Sequence, residues 1–234
     1  MNNSQEMLSD DKHDNGKRTG TPDGDSEQKR RKVLRTEDFH FDTFAHCLDA
    51  ALFVAEMHRN QTRKTGGAYD VHPFRVANIL AEAGVREIET LVAGMLHDTV
   101  EDTEATLAMI SARFGALVAS IVGEVTDDKD LNKAQRKRAQ VEHAKVASVA
   151  AVQIKMADAI DNLSGLVNNP PPSWTAERRI GYFVWKKQVT ASRHGVCPAL
   201  EEQLATLFGA VIPEDADEAA LLRDYYASME TSVD

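Results

Sequence analysis

Cysteine is almost missing from this chain. Cys47 and Cys197 are the only two, and they match no metal-binding or redox spacing. A disulfide framework and a thiolate cluster are set aside, and two reduced thiols in an intracellular protein are expected. Long apolar runs are absent as well: none approaches the ~20 residues of a membrane span, and no secretory signal opens the chain. We therefore expect a cytoplasmic protein with no membrane partner. Positive charge is scarce. The formal net charge is −10, and residues 1–36, with eight Lys/Arg against seven Asp/Glu, account for about +1 of it. The remainder, about −11, offers no broad basic surface, which argues against nucleic acid as a partner. A polyphosphate ligand would need a local cationic pocket and a metal to enter such a field.

Residues 1–38 lack aromatic side chains and are rich in Asn, Asp, Gly, Ser and Lys, the composition of a disordered polar tail. Lys29-Arg30-Arg31-Lys32 within it reads first as a solvated charge run and second as a nuclear-import signal. From Phe39 a 3.6-residue period sets in, with Phe41, Phe44, Ala45, Leu48, Leu52 and Ala55 on one face of a helix reaching about Asn60. Pro73 suits the first turn of a second helix and Gly84 its end. A third helix runs from about Arg86 into the His97 segment. Further amphipathic stretches lie near 106–113, 115–125, 132–146, 148–165, 175–193, 198–208 and 215–229, with a break at Pro170-Pro171-Pro172. No strand alternation is convincing and no repeat is visible. The expected fold is an all-α, compact multi-helix bundle.

Chemistry concentrates in Leu96-His97-Asp98-Thr99-Val100-Glu101-Asp102. If this segment is helical, His97 and Glu101 share a face, and so do Asp98 and Asp102. Carboxylates crowded in this way repel unless a cation or protons intervene. A divalent metal on His97 and Asp98, with Glu101 and Asp102 handling an activated water, resolves the conflict. Two further ligands are expected from other helices: His72, beside Pro73, and Asp158, on an otherwise apolar helix where a carboxylate needs a partner. Asn162 stands one turn beyond Asp158. Two imidazoles and two carboxylates suit Mn²⁺, with Zn²⁺ or Fe²⁺ as the other candidates. Basic residues that could meet phosphate fall in three places: Arg63-Lys64, the Lys129 to Arg138 stretch with Lys133, and the helix carrying Arg178, Arg179, Tyr182 and Trp185. Tyr182 or Tyr69 could stack on a base. Taken singly, each basic cluster also reads as solvated surface, the helix 132–146 above all.

Together, His72, His97-Asp98 and Asp158 resemble the H…HD…D pattern of the HD phosphohydrolase superfamily. More narrowly, the chain is similar to the hydrolase module of RelA/SpoT proteins, and most of all to the stand-alone small alarmone hydrolases known as metazoan SpoT homologues. The segments that carry this resemblance are His58 to Lys64, Tyr69 to Pro73, Leu96 to Asp102, Glu124 to Lys129, Lys155 to Asp158 with Asn162, and Trp174 to Trp185. They span about residues 39–210, which would form the hydrolase domain, with 211–234 as an acidic C-terminal helix and tail. The family fold is a bundle of about ten helices.

The resemblance implies hydrolysis of the 3′-diphosphate of guanosine 3′,5′-bis(diphosphate), or of its pentaphosphate relative, with release of pyrophosphate. It implies Mn²⁺ on His72, His97, Asp98 and Asp158, and proton handling by Glu101 and Asp102. Arg63, Lys64, Lys133, Asn162, Arg178 and Tyr182 would contact the nucleotide. Three positions depart from the family pattern: Thr62 stands where an Arg is usual, Gly67-Ala68 replaces Glu-Pro or Thr-Pro, and Ala159 replaces a Lys or Arg. These bear on the basic rim rather than on the metal ligands. Two other readings keep the site and change its use: a phosphatase acting on another nucleotide such as NADPH, and a nucleotide-binding module without turnover. The sequence fixes no oligomeric state.

Overall fold

Short polar caps and long apolar stripes divide the chain into helices. The computed structural model describes residues 43–62, 68–69 and 71–230. The 1–38 segment with Lys29 to Lys32, and the pair Arg63 and Lys64, lie outside the described residues. Among those described, the chain is all-α, and its single β contact is a bridge between Thr62 and Ala68. A first helix, α1, covers 43–57. It is followed by α2 (Val71–Glu82), α3 (Ile88–Leu96), α4 (Thr99–Asp102), α5 (Leu107–Phe114) and α6 (Ala116–Val125). The second half holds α7 (Lys133–Ala144), α8 (Val149–Asn168), α9 (Ala176–Thr190), α10 (Pro198–Gly209) and α11 (Glu218–Glu230).

The starts of these helices follow local chemistry. Thr106, Asn132, Ser148 and Thr175 each accept a backbone N–H three residues on, and Asn132 forms a reciprocal capping box with Gln135. Such caps satisfy backbone donors that a helix start leaves without partners. Helix α8 is the centre of the bundle. It buries Val152, Ile154, Met156, Ala157, Ile160 and Leu163, and packs against α2, α3, α6, α9 and α10. An element buried on so many sides positions its polar residues rigidly, and Asp158 and Asp161 are among them.

The third helix enters the His97 segment as expected, but the condition that the whole segment be helical is not met. The helix entering the His97 segment is not continuous: α3 ends at Leu96, and α4 starts at Thr99 after Asp98 at φ −98°, ψ −7°. Thr99 Oγ1 donates to Leu96 O at 2.7 Å, and Thr103 Oγ1 to Thr99 O at 2.6 Å. These threonines bond backbone carbonyls around the corner. The break matters because adjacent residues of a regular helix point about 100° apart. At this corner His97 and Asp98 instead converge on one point.

The 211–230 segment packs onto the same body. Ile212 joins the main core, and α11 lies on α9 and α7, where Tyr225 meets Trp185. Gly181 makes that approach close: a Cβ there would lie 2.8 Å from Tyr225 Cβ. Overpacking of this kind costs about 1–3 kcal/mol. Gly181→Ala is therefore expected to lower unfolding stability by that amount in a denaturant titration. An unchanged midpoint would contradict the α9–α11 contact.

Candidate active site

Four side chains from three parts of the fold meet on one point. His72 comes from the first turn of α2, His97 and Asp98 from the α3–α4 corner, and Asp158 from mid-α8. His72 Nε2 lies 3.5 Å from Asp98 Oδ2 and 3.3 Å from Asp158 Oδ1. His97 Nε2 lies 2.9 Å and 3.9 Å from the same two oxygens. His72, His97 and Asp158 form a metal-competent group with ligand atoms within 4.8 Å of one another.

The hydrogen bonds on the far sides of the rings decide what this point requires. His97 Nδ1 is 2.8 Å from Gly94 O, and His72 Nδ1 is 2.7 Å from Asp161 Oδ2. A carbonyl and a carboxylate can only accept, so both Nδ1 atoms carry the proton. Both Nε2 atoms then face carboxylate oxygens and are the atoms left to meet a metal. His97 Nε2 is buried with no hydrogen-bond partner. Lone pairs gathered around one point repel unless a cation sits among them. Metal bonds of about 2.0–2.2 Å to N and O place neighbouring ligands about 3–4 Å apart, which the observed separations match. The donor set thus fits a divalent metal, with Asp161 as the partner that orients His72.

The electrostatics agree. Burial opposes the charged form of His72, but hydrogen bonds to Asp158, Asp161 and Asp98 push its pKa up to about 11. Burial would raise the carboxyl of Asp98, yet His97 and His72 hold it well below the usual range. Asp158 is also held low against its burial, first by Lys186 and then by the two imidazoles. The cage demands positive charge, and protons supply it when no metal does.

Glu101 and Asp102 flank this cage on α4. Glu101 accepts the backbone N–H of Asp127 at 3.3 Å. Burial, then the charges of Asp127 and Asp98, push its carboxyl up. Burial and Asp98 do the same to Asp102. The Tyr69 hydroxyl donates to Asp98 Oδ2 and lies 3.3 Å from Asp102 Oδ2. The same tyrosine lies against buried His58, with ring centroids 4.9 Å apart. His58 Nδ1 in turn donates to Gln61 Oε1, and Gln61 Nε2 to Asp102 O.

His72, His97, Asp98, Glu101, Asp102, Asp158 and Asp161 line a cavity of about 780 Å³, within the range of small-molecule sites. Of the residues expected to bind substrate, Asn162 and Tyr182 line it too, and Asn162 Nδ2 donates to Asp158 Oδ1. Lys133, the first residue of α7, and Arg178 are not among the lining residues. Arg178 instead stacks over Trp174, 4.7 Å from its ring centroid, and Trp174 forms part of the wall.

Sequence reasoning missed Asp161 and Lys186, and it offered Lys137 only as one member of the basic Lys129 to Arg138 stretch. Lys186 Nζ lies 2.7 Å from Asp158 Oδ2, and its side chain is only 5% exposed. Ala159 is fully buried and carries no charge, so the cation beside Asp158 comes from α9. One signal could have found Asp161: it is the second carboxylate, three residues after Asp158, on a helix whose other residues are mostly apolar.

A family model for the HD domain matches residues 50–197. The guanosine-3′,5′-bis(diphosphate) 3′-pyrophosphohydrolase MESH1 of Homo sapiens is 47% identical over 167 residues, covering 70% of this chain and 93% of that protein. Its counterpart of the same name in Danio rerio is 46% identical over 164 residues, covering 69% and 91%. A solved structure, described as "A metazoan ortholog of SpoT hydrolyzes ppGpp and plays a role in starvation responses", matches with a TM-score of 0.68 at 42% identity. It covers 70% of this chain and 94% of that one.

Proposed function

Because the chain belongs to the HD domain family, we propose that it is a metal-dependent guanosine 3′,5′-bis(diphosphate) 3′-pyrophosphohydrolase. The observation that carries this reading is the cage of His72, His97, Asp98 and Asp158 beside two carboxyls of raised pKa in one cavity. The relatives, named for this activity, share 46–47% of aligned residues with the chain. The four cage residues would hold one ion, and their mixed imidazole and carboxylate donors favour Mn²⁺ before Zn²⁺ or Fe²⁺. When bound, the ion supplies Lewis acidity that polarises a phosphoryl oxygen and acidifies water.

The chain's own residues do the rest. Glu101 and Asp102 take the proton of the attacking water. The water oxygen bonds to the phosphorus attached to the ribose 3′ oxygen, and the P–O3′ bond breaks. O3′ departs with the bonding electrons and receives a proton returned by the same carboxyl pair. Guanosine 5′-diphosphate and pyrophosphate result, or the triphosphate from the pentaphosphate. Asn162 and Lys186 keep Asp158 in place on α8. Tyr182 and Trp174 offer aromatic faces in the cavity wall for a base.

The test is product analysis. Purified protein with Mn²⁺ is given guanosine bis(diphosphate) and NADPH in parallel. Pyrophosphate from the first and no orthophosphate from the second is expected. Orthophosphate from NADPH alone would overturn the substrate. Binding of the guanosine compound without any product would overturn the reaction.

A further inference from the structure

Four cationic side chains of α2, α7, α8 and α9 line the cavity among the described residues: Arg75, Lys137, Lys155 and Lys186. Three have acceptors. Lys186 holds Asp158, and Lys155 Nζ donates to Val125 O at 2.7 Å. Arg75, largely in solvent, reaches Asp161 Oδ1 at 3.8 Å. Lys137 differs. No carboxylate lies within ion-pair distance of its Nζ among the described residues, and its ammonium rests 3.3 Å from the Trp185 ring centroid and 5.4 Å from that of Tyr182.

That position is built. Trp185 is 1% exposed, and its indole Nε1 donates to the carbonyl of Lys137 itself at 3.0 Å. Lys137 therefore holds the ring through its backbone and lays its ammonium on the ring through its side chain. A cation–π contact stabilises an ammonium by about 0.5–2 kcal/mol, less than an anionic partner provides in a desolvated site. Burial and the neighbouring charge of Lys186 push the Lys137 ammonium well below the usual lysine range. An arriving anion would relieve both effects.

The ring also links Lys137 to the cage. Lys186 Nζ, which touches the cage through Asp158, is 5.0 Å from the same Trp185 centroid. The two ammoniums share one aromatic ring, and Lys186 is the one that touches the cage. We infer that Lys137 binds the terminal phosphate of a substrate diphosphate whose inner phosphate sits at the cage. Lys137 thereby makes the cavity a diphosphate site in preference to a monophosphate site. This assignment rests on the pyrophosphohydrolase reading above and adds its specificity determinant.

The test compares inorganic pyrophosphate with orthophosphate, by calorimetry at fixed Mn²⁺, for wild type, Lys137→Met and Lys137→Arg. A charged hydrogen bond of this kind corresponds to about 10- to 100-fold in affinity. Lys137→Met is expected to weaken pyrophosphate by that factor and leave orthophosphate within about twofold. Lys137→Arg is expected to restore most of the loss. Equal weakening of both anions, or unchanged pyrophosphate affinity, would overturn the assignment and leave Lys137 as a support for Trp185. A Lys137→Met protein with a collapsed melting temperature that Lys137→Arg does not restore would overturn it too. Turnover of guanosine bis(diphosphate) by wild type, run alongside, separates the two readings. Turnover without Lys137-dependent pyrophosphate binding sinks this assignment alone. Lys137-dependent pyrophosphate binding without turnover sinks the reaction and keeps the diphosphate subsite.

Discussion

His97→Ala is expected to lose turnover by at least about 10³-fold, with metal binding lost in parallel. The loss follows from what His97 alone supplies. Its Nε2 is a buried lone pair without a hydrogen-bond partner, 2.9 Å from Asp98 and 3.9 Å from Asp158. Its Nδ1–H is tied to Gly94, so the ring cannot turn to another task. Alanine leaves two carboxylates facing His72 and removes one of four donors. A second readout keeps the prediction independent of activity. A ligand that binds only the folded state, at a hundred times its Kd, stabilises by about 2.7 kcal/mol. For a domain of this size that corresponds to about 5–10 °C in Tm. Wild type should show this shift with a divalent ion, and His97→Ala should show almost none. Turnover by a metal-free His97→Ala protein would remove the cage from the mechanism.

Glu101→Gln is expected to leave metal binding in place and lower kcat by about 10²- to 10⁴-fold, the usual contribution of a positioned acid–base group. Glutamine keeps the acceptor for the Asp127 N–H and removes the titrating oxygen. The sign of the pH dependence follows from the raised carboxyl. A base must be ionised to accept a proton, and burial with Asp127 and Asp98 nearby places ionisation of Glu101 above the ordinary value of 4.5. Activity should fall as pH drops through that higher value. The acid limb of kcat/KM should change in Glu101→Gln. Asp102→Asn should behave alike, since burial and Asp98 raise that carboxyl as well. An acid limb untouched by both substitutions would assign the proton transfer elsewhere.

The helices were readable in the sequence as apolar-pattern signals, and so were some of the residues now in the cage. A 3.6-residue period marks each buried stripe, and His97 and Asp158 are ionisable residues interrupting such stripes, while His72 was marked by its place beside Pro73. Other features depend on contacts that no local pattern encodes. The break at Asp98, where Thr99 Oγ1 bonds back to Leu96 O, falls among residues that are themselves compatible with continuous helix. Lys137 sits in a run of basic residues on a helix that reads as a wet face. It turns inward because Trp185, from α9, provides a ring and takes its carbonyl. Lys186 lies next to Lys187, and periodicity alone does not say which of the pair meets Asp158. Lys187 instead reaches Glu218 of α11. Arg178 and Lys133 show the converse: a basic residue near the right segment need not line the cavity.

In the proposed reaction this cavity directs water to the phosphorus of a ribose 3′-diphosphate. Turnover of guanosine bis(diphosphate) in ¹⁸O-labelled water with Mn²⁺, followed by mass analysis of both products, reports which bond the water makes. Pyrophosphate carrying one labelled oxygen and an unlabelled guanosine diphosphate are expected. Label in the nucleoside, release of orthophosphate in place of pyrophosphate, or no product from the wild type would contradict that reaction.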